Sequence, residues 1–204
     1  MSDRIKKLLV ATNNRGKLVE LRGFLDGLSV ALQNLGDFDS IIEIEETGTT
    51  FVENARLKAS GYAVQTGLAA IADDSGLEVE ALGGRPGILS ARYGGAEAGF
   101  DEKMAKLLGE LDASGDPKRN ARFVCSIAVA DPSGRILHTT EGICPGKIAS
   151  VPRGRQGFGY DPLFIPDGYA LTFGELTGAI KGEISHRARA FCQIMPFLRD
   201  SIAI

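Results

Sequence analysis

Cysteine is scarce in this sequence: Cys125, Cys144 and Cys192 are the only three in 204 residues, and no CxxC pair occurs. An odd, scattered set is a poor disulfide framework, so a reducing compartment and a cytoplasmic location are expected. Histidine is scarcer still, with His138 and His186 alone, and neither HExxH nor a zinc spacing is found. No stretch approaches the roughly 20 apolar residues of a membrane span. The apolar run at residues 8–11, following Asp3, Arg4, Lys6 and Lys7, is too short for a secretory signal. An excess of either charge is also missing. Lys and Arg number 23 against 26 Asp and Glu, a net charge of −3. This argues against a broad nucleic-acid footprint, which needs clustered surplus base, yet leaves room for a locally basic pocket. Internal repeats, low-complexity tracts and linkers are absent, so residues 1–204 read as a single domain, two lobes at most, sharing a core.

The remainder is an ordinary globular composition, 44% hydrophobic and 24% charged. Residues 5–11 are apolar on both faces and predict a buried strand. A polar turn follows, and then a helix whose apolar positions are Leu18, Leu21, Phe24, Leu25 and Leu28. Residues 48–66 predict a second helix. Residues 68–72 predict a short buried strand ending at Asp73-Asp74-Ser75-Gly76. Residues 122–130 and 135–140 predict two strands joined by the turn Asp131-Pro132-Ser133-Gly134. Ser185 is placed to cap a last helix with the stripe Phe191, Ile194, Met195, Leu198 and Ile202, in which Pro196 should cause a bend. Strands alternating with helices, then a hairpin, predict a mixed α/β fold.

Five short segments carry chemistry. Thr12, Asn13, Asn14, Arg15, Gly16 and Lys17 lie between strand and helix, where free backbone N–H groups and a lysine suit phosphate, although the same residues make an ordinary turn. A P-loop is excluded, because Ala11 and Leu18 stand where its glycine and hydroxyl residue belong. Asp73 and Asp74, side by side after an apolar strand, are tolerable if a hard cation neutralises them; solvated acids in a turn are the plain alternative. Glu46 fits a metal ligand or a charge at a helix start, and Asn54 with Lys58 share one helix face, read as solvated. Gly157-Phe158-Gly159-Tyr160-Asp161 sets glycines beside aromatics, able to approach a flat ligand or to pack on the core. His186 and Arg187 oppose the dipole at a helix start, a conflict an anionic or carbonyl-bearing ligand would relieve, although a lone histidine is more often an ordinary partly buried side chain.

Taken in order, TNNRGK, ETGTTFVENARLKA, ADDSGLEVEALGGRPGILSARY, ARFVC, GFGYDPLF, Lys181 and ISHRARA resemble the inosine triphosphate pyrophosphatase family over almost the whole chain. The resemblance implies an elongated two-lobed α/β fold with a central mixed sheet flanked by helices, an active-site cleft between the lobes, and a homodimer. It makes residues 12–17 a substrate-phosphate loop. Glu46 and Asp74 become Mg²⁺ ligands, and Asp74 also the general base. Ser75, Phe158, Gly159, Tyr160, Asp161, Lys181, His186 and Arg187 become substrate contacts. The reaction it implies is water attack on the α-phosphorus of ITP, dITP or XTP, giving monophosphate and pyrophosphate. A nucleotide-binding module without turnover and a phosphatase releasing orthophosphate are the rival readings.

Overall fold

The structure, a computed structural model, describes residues 5–95 and 97–202; Asp3 and Arg4 of the charged start lie outside these. Six strands form one sheet in the order β2-β1-β3-β4-β5-β6, with β1 Lys7–Val10, β2 Ala31–Asn34, β3 Ala69–Val79, β4 Asn120–Ala130, β5 Ile136–Ile148 and β6 Phe164–Pro166. The helices are α1 Arg15–Leu25, α2 Phe51–Thr66, α3 Phe100–Ser114, α4 Gly178–Ile184 and α5 His186–Ser201. β1 runs parallel to both β2 and β3, whereas β5 and β6 are antiparallel, so the sheet is mixed as expected. The chain divides into two compact units. One takes the described residues up to Asp74, with Cys125–Glu141 and those from Ala190 on; the other takes Ser75–Val124 and Gly142–Arg189.

In the first unit, Leu8, Leu9 and Val10 of β1 are buried on both faces of the strand, which explains the apolar run at residues 8–11. Leu8 and Val10 pack with Leu21 and Leu25 of α1 and with Phe191, Ile194 and Leu198 of α5. Leu9 and Ala11 face the other way, onto Ala55, Ala59, Tyr62 and Ala63 of α2. Alternation along a strand sends successive side chains to opposite faces, so a four-residue strand serves two helix layers. Small residues on the α2 face let that helix lie close to the sheet. α5 runs from His186 through Pro196 to Ser201. Its apolar stripe supplies the packing that holds a proline-containing helix together.

In the second unit, Leu77 and Val79 of β3, Phe123 of β4, Cys144 and Ile148 of β5 and Phe164 of β6 surround Met104, Leu107 and Leu111 of α3. Phe123, Phe164 and Phe173 form a ring cluster with centroids 4.6–6.3 Å apart, a range in which aromatic pairs are favourable.

Two elements differ from the sequence expectation in a way that matters. β3 does not end at residue 72 but runs on through Asp73, Asp74, Ser75 and Gly76 to Val79, so both carboxylates sit inside a strand. β5 reaches Ile148, well beyond residue 140. Polar residues lower strand propensity only weakly when ladder partners are in place.

Candidate active site

The first unit gathers one group of ionisable side chains. β1 leads through residues 11–14 into α1, where the Asn14 side chain caps the helix by accepting from the Lys17 N–H at 3.0 Å, and the Thr12 hydroxyl accepts from the Asn14 N–H at 3.2 Å. Residues 15–17 therefore form the first helical turn. Two of the amides that the sequence offered to phosphate already have side-chain partners, and those of Arg15 and Gly16 remain at the helix start, where no intrahelical acceptor exists. Lys17 reaches back to β3, its Nζ 3.0 Å from an Asp73 oxygen. Asp73 is buried and also meets the Cys125 thiol at 3.9 Å.

Asp74 is 6% exposed. Its carboxylate accepts from the Asn54 amide at 3.2 Å and meets the Lys58 ammonium at 3.2 Å. The same ammonium lies 2.5 Å from Glu46. Asn54 and Lys58 thus belong to this group, contrary to their reading as a solvated face. The signal that could have found them is the Thr50–Glu53 capping box. It marks where α2 starts, but not which face turns inward, so it is only a partial signal. Burial pushes the Asp74 carboxyl above its ordinary value and Glu46 adds to the rise, against the opposing pull of Lys58, Lys17 and Asn54. Burial works against the Lys58 charge, but Asp74, Asp73 and Glu46 outweigh it and raise the ammonium above its usual value. Lys58 is therefore a firmly held cation.

The second unit gathers the other group. Asp161, 2% exposed, accepts from the Phe158 N–H at 2.8 Å and pairs with Lys181 at 2.6 Å. Lys181 lies 4.5 Å from the centre of the Phe158 ring, and the Arg187 guanidinium 5.8 Å from it. Arg187 donates to the Ser75 hydroxyl at 2.9 Å. His186 stacks on Phe123 at 4.7 Å, with planes 13° apart. The Ser185 hydroxyl accepts from the Ala188 N–H at 3.1 Å, capping α5 as expected and fixing where His186 and Arg187 point. Lys181, Ser75, Phe158 and Arg187 are in this way brought together. Tyr160 is not with them: its ring is 3% exposed, its hydroxyl donates to the Ser90 carbonyl at 3.1 Å, and its edge meets Phe100. Asp161 acts on the same loop from inside, as the buried partner of Lys181.

Among the described residues no three His, Cys, Asp or Glu side chains form a metal cage. The residues nevertheless fit a hard cation. Glu46 and Asp74 converge on one ammonium, which shows both carboxylates within reach of a single positive charge. Two carboxylates are what Mg²⁺ commonly takes from a protein when substrate phosphates and water supply the rest.

The Ham1 family model matches residues 8–197. A dITP/XTP pyrophosphatase of Oceanobacillus iheyensis is 45% identical over 195 residues, covering 95% of this chain and 98% of that protein. One from Desulforamulus reducens is 47% identical over 192 residues, covering 94% and 95%. Among solved structures, a HAM1 protein from Coxiella burnetii superposes with a TM-score of 0.88 at 41% identity, covering 96% of this chain and all of that one.

Proposed function

The chain belongs to the Ham1 family, and from that premise we infer that it hydrolyses non-canonical purine nucleoside triphosphates (ITP, dITP and XTP) to the monophosphate and pyrophosphate. The observation that carries the chemistry is the convergence of Glu46 and Asp74 on one part-buried cation position.

In this reading Glu46 and Asp74 hold Mg²⁺. The bound ion would neutralise charge on the triphosphate and on the oxygen displaced from the α-phosphorus. Lys17 and the amides at the start of α1 bind phosphate oxygens, adding fixed positive potential where negative charge grows. Asp74 accepts the proton of the attacking water. Its burial favours this, because a carboxylate with a raised pKa is a stronger base than an exposed one. In the second unit, Phe158 offers its ring to the purine, and Ser75, Gly159, Lys181, His186 and Arg187 hold the nucleotide. Tyr160 and Asp161 fix the loop from its buried side.

The test is a panel of ITP, XTP, ATP and GTP with product identification. Pyrophosphate from ITP supports the reading; orthophosphate, or binding without turnover, overturns it. Activity should vanish after exhaustive chelation and return with Mg²⁺, and full turnover in chelator would remove the metal from the proposal. We further propose a homodimer, which light scattering at micromolar concentration would show as twice the chain mass. The free cysteines fit a cytoplasmic location, and no described helix is long and apolar enough to cross a membrane.

A further inference from the structure

Glu46 lies on a stretch, residues 40–48, with no regular secondary structure. A ligand on such a loop needs something to hold it, since loops are the mobile parts of a fold. α2 supplies a ladder. Gln65 both accepts from the Ile42 N–H at 2.8 Å and donates to the Ile42 carbonyl at 2.9 Å. The Tyr62 hydroxyl accepts from the Ile44 N–H at 3.3 Å. Lys58 meets the Glu46 carboxylate at 2.5 Å, and the Asn54 oxygen accepts from the Gly48 N–H at 2.8 Å. The rungs step by two along the segment and by three or four along the helix. Two extended residues advance about 6.6 Å and one helical turn about 5.4 Å, so an extended segment can meet successive turns of one helix face.

The lower two rungs also reach Asp74, and they differ in kind. Lys58 carries a charge and occupies the position between the two carboxylates, so it competes with any divalent ion placed there. Asn54 is fully buried and neutral. One end of its amide donates to Asp74 and the other accepts from Gly48. It can hold the loop to the strand without adding or cancelling charge. Gly48 fits this contact closely: a Cβ there would stand 2.7 Å from the Asn54 oxygen.

We propose that Asn54 is a positioning residue that sets the spacing of Glu46 and Asp74 by tying the Gly48 backbone to the Asp74 carboxylate. The inference rests on the functional reading above. Asn54→Asp, nearly isosteric, and Asn54→Ala both remove the donor to Asp74. Each should raise the Mg²⁺ concentration for half-maximal pyrophosphate release from ITP about 10–100-fold, the usual scale for losing a group that orients a metal ligand. KM for ITP at saturating Mg²⁺ should stay within about 3-fold, because the proposed nucleotide-holding residues of the second unit are untouched. Binding of Mn²⁺ to the protein, followed by the paramagnetic resonance signal of the free ion, should weaken by about the same factor as the Mg²⁺ requirement rises. A merely structural role would lower thermal stability and the active fraction without moving either cation readout.

Gly48→Ala breaks the same link from the loop side, and it should reproduce the cation phenotype if the Asn54 variants fail to fold. Wild-type enzyme that releases no pyrophosphate from ITP would defeat the functional reading. Wild-type activity together with unchanged Mg²⁺ requirement and Mn²⁺ binding in the folded Asn54 variants would overturn this inference alone. So would unchanged cation readouts in Gly48→Ala where the Asn54 variants do not fold.

Discussion

At the scale of single residues, the costs and uses of burial fall on the same atoms. Burial raises the Asp74 carboxyl above its ordinary value. A native-state value above the unfolded one means that the folded protein binds the proton more tightly, so stability falls as pH climbs from the unfolded value through the folded one. At neutral pH the metal-free protein therefore carries Asp74 at a cost, while Lys58 retains Glu46 as a partner if Asp74 loses its charge. Asp74→Asn should melt at or above the wild-type temperature near pH 7 without metal, and the gap should close as pH is lowered into the range where the wild-type carboxyl is protonated. The same variant should lose about 10²–10⁴-fold in kcat, the usual contribution of a positioned base. Scanning calorimetry and turnover at saturating Mg²⁺ check the two halves. A variant clearly less stable at neutral pH, or one keeping more than about a tenth of kcat, contradicts the role given to Asp74.

At the scale of elements, α2 is the part that most affects the site, and it was only half legible. Its capping box and C-terminal glycine mark a helix in the sequence, and the structure places it at Phe51–Thr66 with both caps formed. Which face turned inward was not legible, because Asn54, Lys58 and Gln65 are as polar as any solvated stripe. Their partners lie on a segment without periodicity, so no pattern rule could pair them. β3 is illegible for another reason: Asp73 and Asp74 resemble a strand end because two acids rarely share a buried strand. Lys17 and Lys58 make that arrangement possible from elements far away in sequence. A glycine tests the docking of segment on helix. Gly61 sits inside α2, where alanine would ordinarily add about 1 kcal/mol of stability. Here a Cβ would stand 2.5 Å from Ile44 Cδ1 and 2.9 Å from its Cγ1. Gly61→Ala should therefore forfeit the helix gain, displace Ile44 and raise the Mg²⁺ requirement. Adding Ile44→Val removes the nearest methyl and should recover most of both losses. Thermal denaturation and Mg²⁺ titration of the two single variants and the double variant measure the coupling. Additivity would mean that Gly61 has no part in seating the segment.

At the scale of the whole molecule, the sequence is most legible where motifs and composition point the same way. The mixed α/β sheet, the capped last helix and the family all followed from it. Tyr160 and Asp161 show where it stops: no motif encodes that the ring packs into the core or that the carboxylate pairs with Lys181. What the molecule must do with the remaining polar groups is choose a base. Hypoxanthine and xanthine carry a carbonyl at C6, where adenine carries an amino group. Lys181 and Arg187 are donors only; both are held against the Phe158 ring. Donors that pair with the carbonyl would face another donor in adenine, and an unsatisfied buried group costs about 1–3 kcal/mol, more when charged. The proposed stacking on Phe158 would favour every purine and so would not select. Guanine shares the carbonyl and has to be refused at its 2-amino group, by crowding or by want of an acceptor. The expected result is a kcat/KM for ITP and XTP at least about 100-fold above that for ATP and GTP, or roughly 2.7 kcal/mol at the transition state. On the proposed function, Arg187→Ala should lower overall activity and narrow the gap against ATP, because it would remove a donor that only the carbonyl bases could use. Arg187 also donates to Ser75, so Ser75→Ala separates the roles: it removes that hydroxyl but keeps the guanidinium and its donors, and it should preserve the ITP-to-ATP ratio. Steady-state kinetics of the wild type and both variants on ITP and ATP decide the matter. Equal kcat/KM for ITP and ATP in the wild type would reject selective removal of non-canonical purines even with pyrophosphate as the product.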